Sequence, residues 1–309
     1  MKNKLLSILK IGIFVVLFFV LWNSNCYALN TRYLYDGVYN FLYRESDSVL
    51  VKKLVDKSKN QIKAIENFFQ IKPSALINIY ITRSEGEFQS YSQQGFPEWA
   101  QAIAFTNRRI IIIRVANGDE LTRLPQVFLH ELVHIYLGIR FPDQKIPTWL
   151  HEGLAQKLSN ENLTINEQVL IANALYGNKL TDLKALDSLF SFSQIKAKTA
   201  YALARSAVDF FLKNNSTYDL FKILDLLDHN ESIDQAFLQV TGRDFVDFEI
   251  GWYSYIDSEY KWMILLNVPD LVWTILVILF IAAFFKIKYK NKKTIRSWPE
   301  PESDDMDVV

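Results

Sequence analysis

An apolar segment that contains two histidines and a glutamate constrains the fold more than any other part of the chain. Residues 124–137 carry apolar side chains at helical spacing, with Pro125 near the start and Gly138 and Pro142 beyond the end. These signals predict a helix that begins near Pro125 and ends near Gly138. Because almost every side chain in it is apolar, we expect this helix to be buried.

The polar residues of this segment form the pattern H-E-x-x-H, with His130, Glu131 and His134. Residues four apart lie on one face of a helix, so both histidines could offer a ring nitrogen to one Zn²⁺. Glu131 projects beside that position, where it could take a proton from a metal-bound water. Buried polar groups are costly without partners, which favours a metal site over two satisfied core histidines and a solvated Glu131.

A second motif follows the first. Residues 147–155 read P-T-W-L-H-E-G-L-A, and 17 residues separate His134 from Glu152. H-E-x-x-H followed by Glu in a W-L-x-E-G-L-A context resembles the gluzincin metallopeptidases, and among them the peptidase MA-like group. The resemblance implies a zincin-like fold and covers roughly residues 75–256, with its strongest motifs between His130 and Ala155.

Carried over position by position, the resemblance implies a catalytic metal site. His130, His134 and Glu152 would be the zinc ligands, and Glu131 would be the general base. A carboxylate as third ligand also offsets charge on the metal. His151 competes for that place, but adjacent helical residues point in different directions, so we expect it to line the cleft. The alternative for Glu152 is a solvated residue at a helix start.

The resemblance extends to three further stretches. Residues 110–113 stand where these families place the sheet edge that pairs with extended substrate. Tyr201, in Y-A-L-A-R-S, is a candidate to stabilise the oxyanion formed during peptide hydrolysis, although a packing tyrosine is an equal alternative. Residues 242–252 resemble the closing segment of the group.

The chain departs from the family pattern in one place. Many gluzincins carry an acidic residue four positions after the ligand Glu, where it orients a ligand histidine. Gln156 occupies that position here, and its carbonyl could accept the same hydrogen bond more weakly. The chain also lacks the G-x-M-E-N segment of the zinc aminopeptidases, which favours an endopeptidase over an exopeptidase.

The remaining patterns predict an α+β domain, with a small sheet and the H-E-x-x-H helix followed by a helical C-terminal subregion. Residues 75–82 and 110–113 are rich in β-branched types and predict strands. T-x-x-E at Thr164 predicts a capping box. Helices are predicted at residues 51–69, 197–212, 217–227 and 233–240.

The first apolar segment predicts export. Residues 1–4 are basic, residues 11–22 are strongly apolar, and Ala28 ends a C-Y-A sequence suited to cleavage. This is the pattern of a signal peptide over residues 1–28, with an uncleaved signal anchor as the alternative. Cys26 is the only cysteine, so cleavage would leave no thiol for disulfides or metal ligation.

The second apolar segment predicts a membrane anchor. Residues 271–285 contain one polar side chain, Thr274, and a cluster of lysines follows them. We expect a transmembrane helix at residues 268–289 and a cytoplasmic tail at 290–309, because basic clusters stay on the cytoplasmic side. Residues 29–262 would then form one exported peptidase domain, and a bacterial envelope is the expected setting.

The composition limits the classes of binding partner that we expect for this chain. Lys plus Arg and Asp plus Glu each number 34, so no net charge favours nucleic acid. The expected partners are a polypeptide substrate and a membrane; the oligomeric state is not specified. An inactive zincin-like peptide-binding or scaffold module is the alternative function. An intramembrane protease is disfavoured, because Arg123 and Arg140 bracket only 16 residues around the histidines.

Overall fold

The computed structural model covers the predicted exported domain and the C-terminal helix. It describes residues 31–92, 100–115, 120–143, 145–177, 182–189, 194–267 and 269–296. The predicted signal peptide, residues 1–28, lies outside the described residues.

The described strands form one mixed sheet in the order β1-β2-β3-β5-β4. The β1–β2 and β4–β5 pairs are antiparallel, whereas β2–β3 and β3–β5 are parallel. The strand bounds are β1 Thr31–Asp36, β2 Tyr39–Arg44, β3 Ile77–Thr82, β4 Ala102–Phe105 and β5 Ile110–Arg114.

The core lies between one face of this sheet and two long helices. Alternate residues of the central strands, including Phe41, Ile79 and Ile111, are fully buried, as the two-residue period of a strand requires. Helices α1 (Ser48–Phe69) and α3 (Glu120–Arg140) pack against each other, α1 contacts β2, and α3 contacts β4 and β5. The H-E-x-x-H segment is therefore held by the sheet.

A helical subregion follows α3, and α4 packs against both α3 and α7. The other helices are α2 Glu85–Ser92, α4 Thr148–Leu158, α5 Ile165–Tyr176, α6 Leu183–Leu189, α7 Gln194–Asn214, α8 Thr217–Asp228, α9 Ile233–Thr241, α10 Phe245–Tyr260 and α11 Pro269–Arg296. A 3₁₀ segment, Lys261–Asn267, packs against α5 and α10 just before α11.

The predicted strands and helices are present, with boundaries shifted by a few residues. The capping box is confirmed, because Thr164 and Glu167 satisfy each other's backbone amide groups. The prediction that residues 110–113 form the sheet edge is wrong. β5 lies between β3 and β4, so the edge strand beside α3 is β4. Strand β4 and the β1–β2 hairpin were not predicted from the sequence.

Helix α11 is long and apolar enough to cross a membrane from Val272 to Lys292. All of the side chains in that stretch are exposed, so nothing in the described protein covers them. A helix that is apolar on all sides and covered by no protein is typical of a membrane span.

Candidate metal centre

Helix α3 carries both histidines on one face. Their ring centroids are 4.9 Å apart, and His134 is only 8% exposed. The chain turns after α3 and begins α4 behind Pro147, so that the first turns of α4 cross the same face. Glu152 then places Oε2 3.2 Å from His130 Nε2 and 3.6 Å from His134 Nε2.

The three side chains form a possible metal site. One donor atom from each of His130, His134 and Glu152 lies within 4.8 Å of the other two. Two imidazole nitrogens and one carboxylate oxygen are the donor set of many catalytic zinc sites, which leave a fourth position open. The residues present therefore fit a zinc ion.

Packing on the far side of α4 fixes the position of Glu152. Trp149 is fully buried, with its ring 6.0 Å from that of Phe245 and 6.3 Å from that of Phe248. Gly153 lies against the backbone of Ala204 on α7. Helix α4 is thus held between α7 and α3, so the side chain of Glu152 has little freedom to move away from the histidines.

Each histidine also contacts a second side chain through its other ring nitrogen. His134 Nδ1 lies 2.7 Å from His151 Nδ1, and these two rings are stacked with centroids 4.6 Å apart. His130 Nδ1 lies 3.2 Å from Glu161 Oε1. His151 thus lines the site, as expected, whereas the sequence analysis did not identify Glu161.

Charges in the site oppose the effect of burial. Burial favours the neutral form of Glu152, but His134 and His130 outweigh it and lower the pKa of this carboxyl to about 2. Burial disfavours protonation of His130, yet Glu152 and Glu161 raise its pKa well above the usual value. Burial lowers the pKa of His134, which keeps that ring neutral and able to ligate a metal.

Glu131 follows His130 directly on α3 and is half-buried. Burial raises the pKa of Glu131 to about 7. The charge of His130 opposes this shift, and the charges of Glu152 and Glu161 add to it. A carboxyl group with a pKa near neutrality can both accept and return a proton, which is the requirement for a general base.

Two further predicted residues lie on or against α7. Tyr201 is half-buried, and burial together with the charges of Glu152, Glu131 and Glu161 raises its pKa, so its hydroxyl remains protonated near neutral pH. Gln156 donates a hydrogen bond from Nε2 to the carbonyl oxygen of Tyr201 at 3.1 Å. The amide nitrogen of Gln156 is thereby directed to α7.

A family comparison agrees with this geometry. A model described as the Peptidase MA superfamily matches residues 58–258, which is more than half of the 309-residue chain. The chain belongs to the Peptidase MA superfamily. No curated protein matches it.

Membership in the Peptidase MA superfamily confirms the resemblance seen in the sequence. The match includes both histidines of α3 and Glu152 of α4, so the possible metal site lies inside the family domain. The family supports a peptidase in general, and peptidases of this superfamily typically depend on zinc.

Proposed function

We propose that this chain is a membrane-anchored zinc endopeptidase of the gluzincin type, with a zincin-like domain outside the cytoplasm. The observation that carries the proposal is the convergence of His130, His134 and Glu152 within 4.8 Å, with Glu131 beside them. Residues that serve only to pack the protein gain nothing from a half-buried carboxyl group next to two histidines and a second carboxylate. Such groupings of titratable side chains are typical of functional sites.

The proposed mechanism divides the work among side chains of α3, α4 and α7. His130, His134 and Glu152 would hold the zinc, which when bound polarises the scissile carbonyl and lowers the pKa of water towards about 7. Glu131 takes the proton of the attacking water and passes it to the leaving amine. Tyr201 donates a hydrogen bond to the oxyanion that forms on the carbonyl oxygen when water attacks the carbonyl carbon.

Substrate would bind in an extended conformation along β4. This strand is the sheet edge next to α3, where the candidate general base lies. An edge strand offers backbone N–H and C=O groups to another chain, and such pairing selects for an extended backbone more than for particular side chains. An open strand of this kind suits cleavage within a polypeptide.

The proposed topology follows from the two apolar segments. Residues 1–28 direct export as a signal peptide, residues 29–262 form the peptidase domain, residues 268–289 span the membrane, and residues 290–309 remain in the cytoplasm. The exposed apolar surface of α11 supports the anchor, and the lysines in the C-terminal turns of the same helix support the orientation. A bacterial envelope fits this arrangement.

The function is tested by comparing the parent with Glu131→Gln in detergent, using zinc-loaded protein and unfolded, fluorescently labelled polypeptides. We expect the parent to cleave internal bonds and the variant to lose about 10²-fold to 10⁴-fold or more in rate, with zinc content unchanged. Glu167→Gln, which alters a carboxylate in the capping box of α5, should retain the rate. Equal turnover by parent and Glu131→Gln, or none by a zinc-loaded parent, would contradict the proposal; the latter would favour the inactive binding module.

A further inference from the structure

We propose that Glu161 is a positioning residue that orients His130 for metal binding. In this chain it performs the task that an acidic residue four positions after the ligand Glu performs in many gluzincins. The inference rests on the proposed function, because it concerns the same metal site. It assigns a role to a residue outside both sequence motifs, nine positions after Glu152.

The two nitrogens of His130 face different carboxylates. Nε2 lies 3.2 Å from Glu152 Oε2, on the side where the donor atoms converge, and Nδ1 lies 3.2 Å from Glu161 Oε1 on the opposite side. An ionised carboxylate only accepts hydrogen bonds, so without a metal both ring nitrogens of His130 can donate, Nδ1 to Glu161 and Nε2 to Glu152. A bound metal would displace the proton of Nε2, whereas the contact with Glu161 would keep the proton on Nδ1 and fix the orientation of the ring.

Glu161 is itself held at three points. Its backbone N–H donates to the carbonyl of Gln156 at 3.1 Å, and its carbonyl accepts a hydrogen bond from Arg205 Nη1. Ser159 Oγ donates to Oε1, the same carboxylate oxygen that contacts His130, at 2.9 Å. A side chain fixed in this way can transmit its orientation to the ring it touches.

The local backbone explains how Glu161 reaches the site. Helix α4 ends at Leu158, and Asn160 adopts the left-handed conformation with φ of 62°, a common way to reverse the chain after a helix. Arg205, which is 7% exposed, also donates to the carbonyl of Gln156 at 2.9 Å. It therefore ties the last turn of α4 and residue 161 to α7.

The side chain of Gln156 points to α7 and makes its hydrogen bond there. Its amide nitrogen bonds to the carbonyl of Tyr201, and its backbone carbonyl accepts hydrogen bonds from Arg205 and from the backbone N–H of Glu161. Gln156 thus acts as a structural residue between α4 and α7. The carboxylate on His130 comes from the segment after the helix.

The test is a measurement of zinc affinity by chelator competition on the full-length chain in detergent. Glu161→Ala should bind zinc about 10-fold to 100-fold more weakly than the parent. Glu161→Gln should fall between them, because an amide oxygen still accepts a hydrogen bond but carries no charge. Ser159→Ala should show a smaller loss. Glu167→Gln, a charge change six residues away that does not touch His130, should bind like the parent.

Two additional readouts separate positioning from folding. The unfolding midpoint of the zinc-free protein should be nearly the same for the parent and Glu161→Gln, and the visible spectrum of cobalt-substituted Glu161→Gln should differ from that of the parent. Equal zinc affinity in the parent and Glu161→Ala would overturn the inference and leave the proposed function intact. If both Glu161 variants lost zinc affinity and also lowered the unfolding midpoint of the zinc-free protein, Glu161 would have a structural role. That result would also overturn the inference. A folded parent that binds no zinc would overturn the proposed function itself.

Discussion

Gly153 and Ala204 are packed so closely that a side chain at position 153 cannot be accommodated. A Cβ atom on Gly153 would lie 2.5 Å from the carbonyl oxygen of Ala204 and 2.7 Å from Val208 Cγ2. The first of these atoms is backbone, which cannot rotate away. The glycine after Glu152 is thus needed for the close approach of α4 to α7, and this approach sets where Glu152 meets the histidines.

Gly153→Ala should therefore weaken both the fold and the metal site. We expect the free energy of unfolding to fall by about 1–3 kcal/mol, the usual cost of overpacking, and zinc affinity to fall because α4 must shift. Urea unfolding with and without zinc measures both effects. The matched control is Gly86→Ala on α2, where a Cβ atom would meet nothing within 4 Å and stability should be equal or higher. Equal stability of Gly153→Ala and the parent would refute the packing argument.

Tyr201→Phe should reduce turnover without releasing zinc. Removing one oxyanion donor typically costs about 10²-fold to 10³-fold in kcat, whereas the three donor atoms are untouched. Steady-state kinetics and metal analysis on the same preparation measure the two properties. Tyr176→Phe serves as control, because that exposed hydroxyl bonds to Asp257 on α10. Unchanged kcat in Tyr201→Phe would show that Tyr201 only packs.

The anchor can be tested by truncation. The full-length chain should remain in membranes after carbonate washing, because the exposed apolar surface of α11 needs lipid. A chain ending at Asn267 keeps the 3₁₀ segment that packs against α5 and should be recovered in the soluble fraction. Release of the full-length chain by carbonate would contradict the anchor.

The orientation of the anchor is a separate prediction. Ser303→Cys, combined with Cys26→Ser, should react with a membrane-impermeant maleimide only after the cells are lysed, because the lysines in the C-terminal turns of α11 hold the tail in the cytoplasm. Labelling of Ser303→Cys in intact cells would reverse the proposed topology.

Local signals were sufficient to predict the helix that carries His130 and His134. The apolar spacing of α3 and the presence of Pro125 and Gly138, which lie inside the helix near its two ends, depend only on neighbours in sequence. H-E-x-x-H brings two histidines together through helix geometry alone. The placement of Glu152 came from resemblance to a family motif, since its approach to the histidines depends on how α4 packs against α3.

The features that were not predicted depend on tertiary contacts. Glu161 reaches His130 because Asn160 turns the chain and Arg205, 44 residues further on, holds the turn. The edge position of β4 depends on a tight connection in which Arg109 adopts a left-handed φ of 53°, a conformation that the residue type does not signal. The Asn after the end of α4 is the one sequence feature that could have drawn attention to Glu161.

The proposed zinc site can be tested by measuring the zinc content of the purified full-length chain and of its Glu152→Ala form. The samples are folded, kept in detergent and never exposed to chelator. We expect one zinc per parent chain and a variant that has lost most of it, because only two of the three donors remain. A parent without zinc, or a Glu152→Ala form that holds zinc as tightly as the parent, would contradict the proposed site.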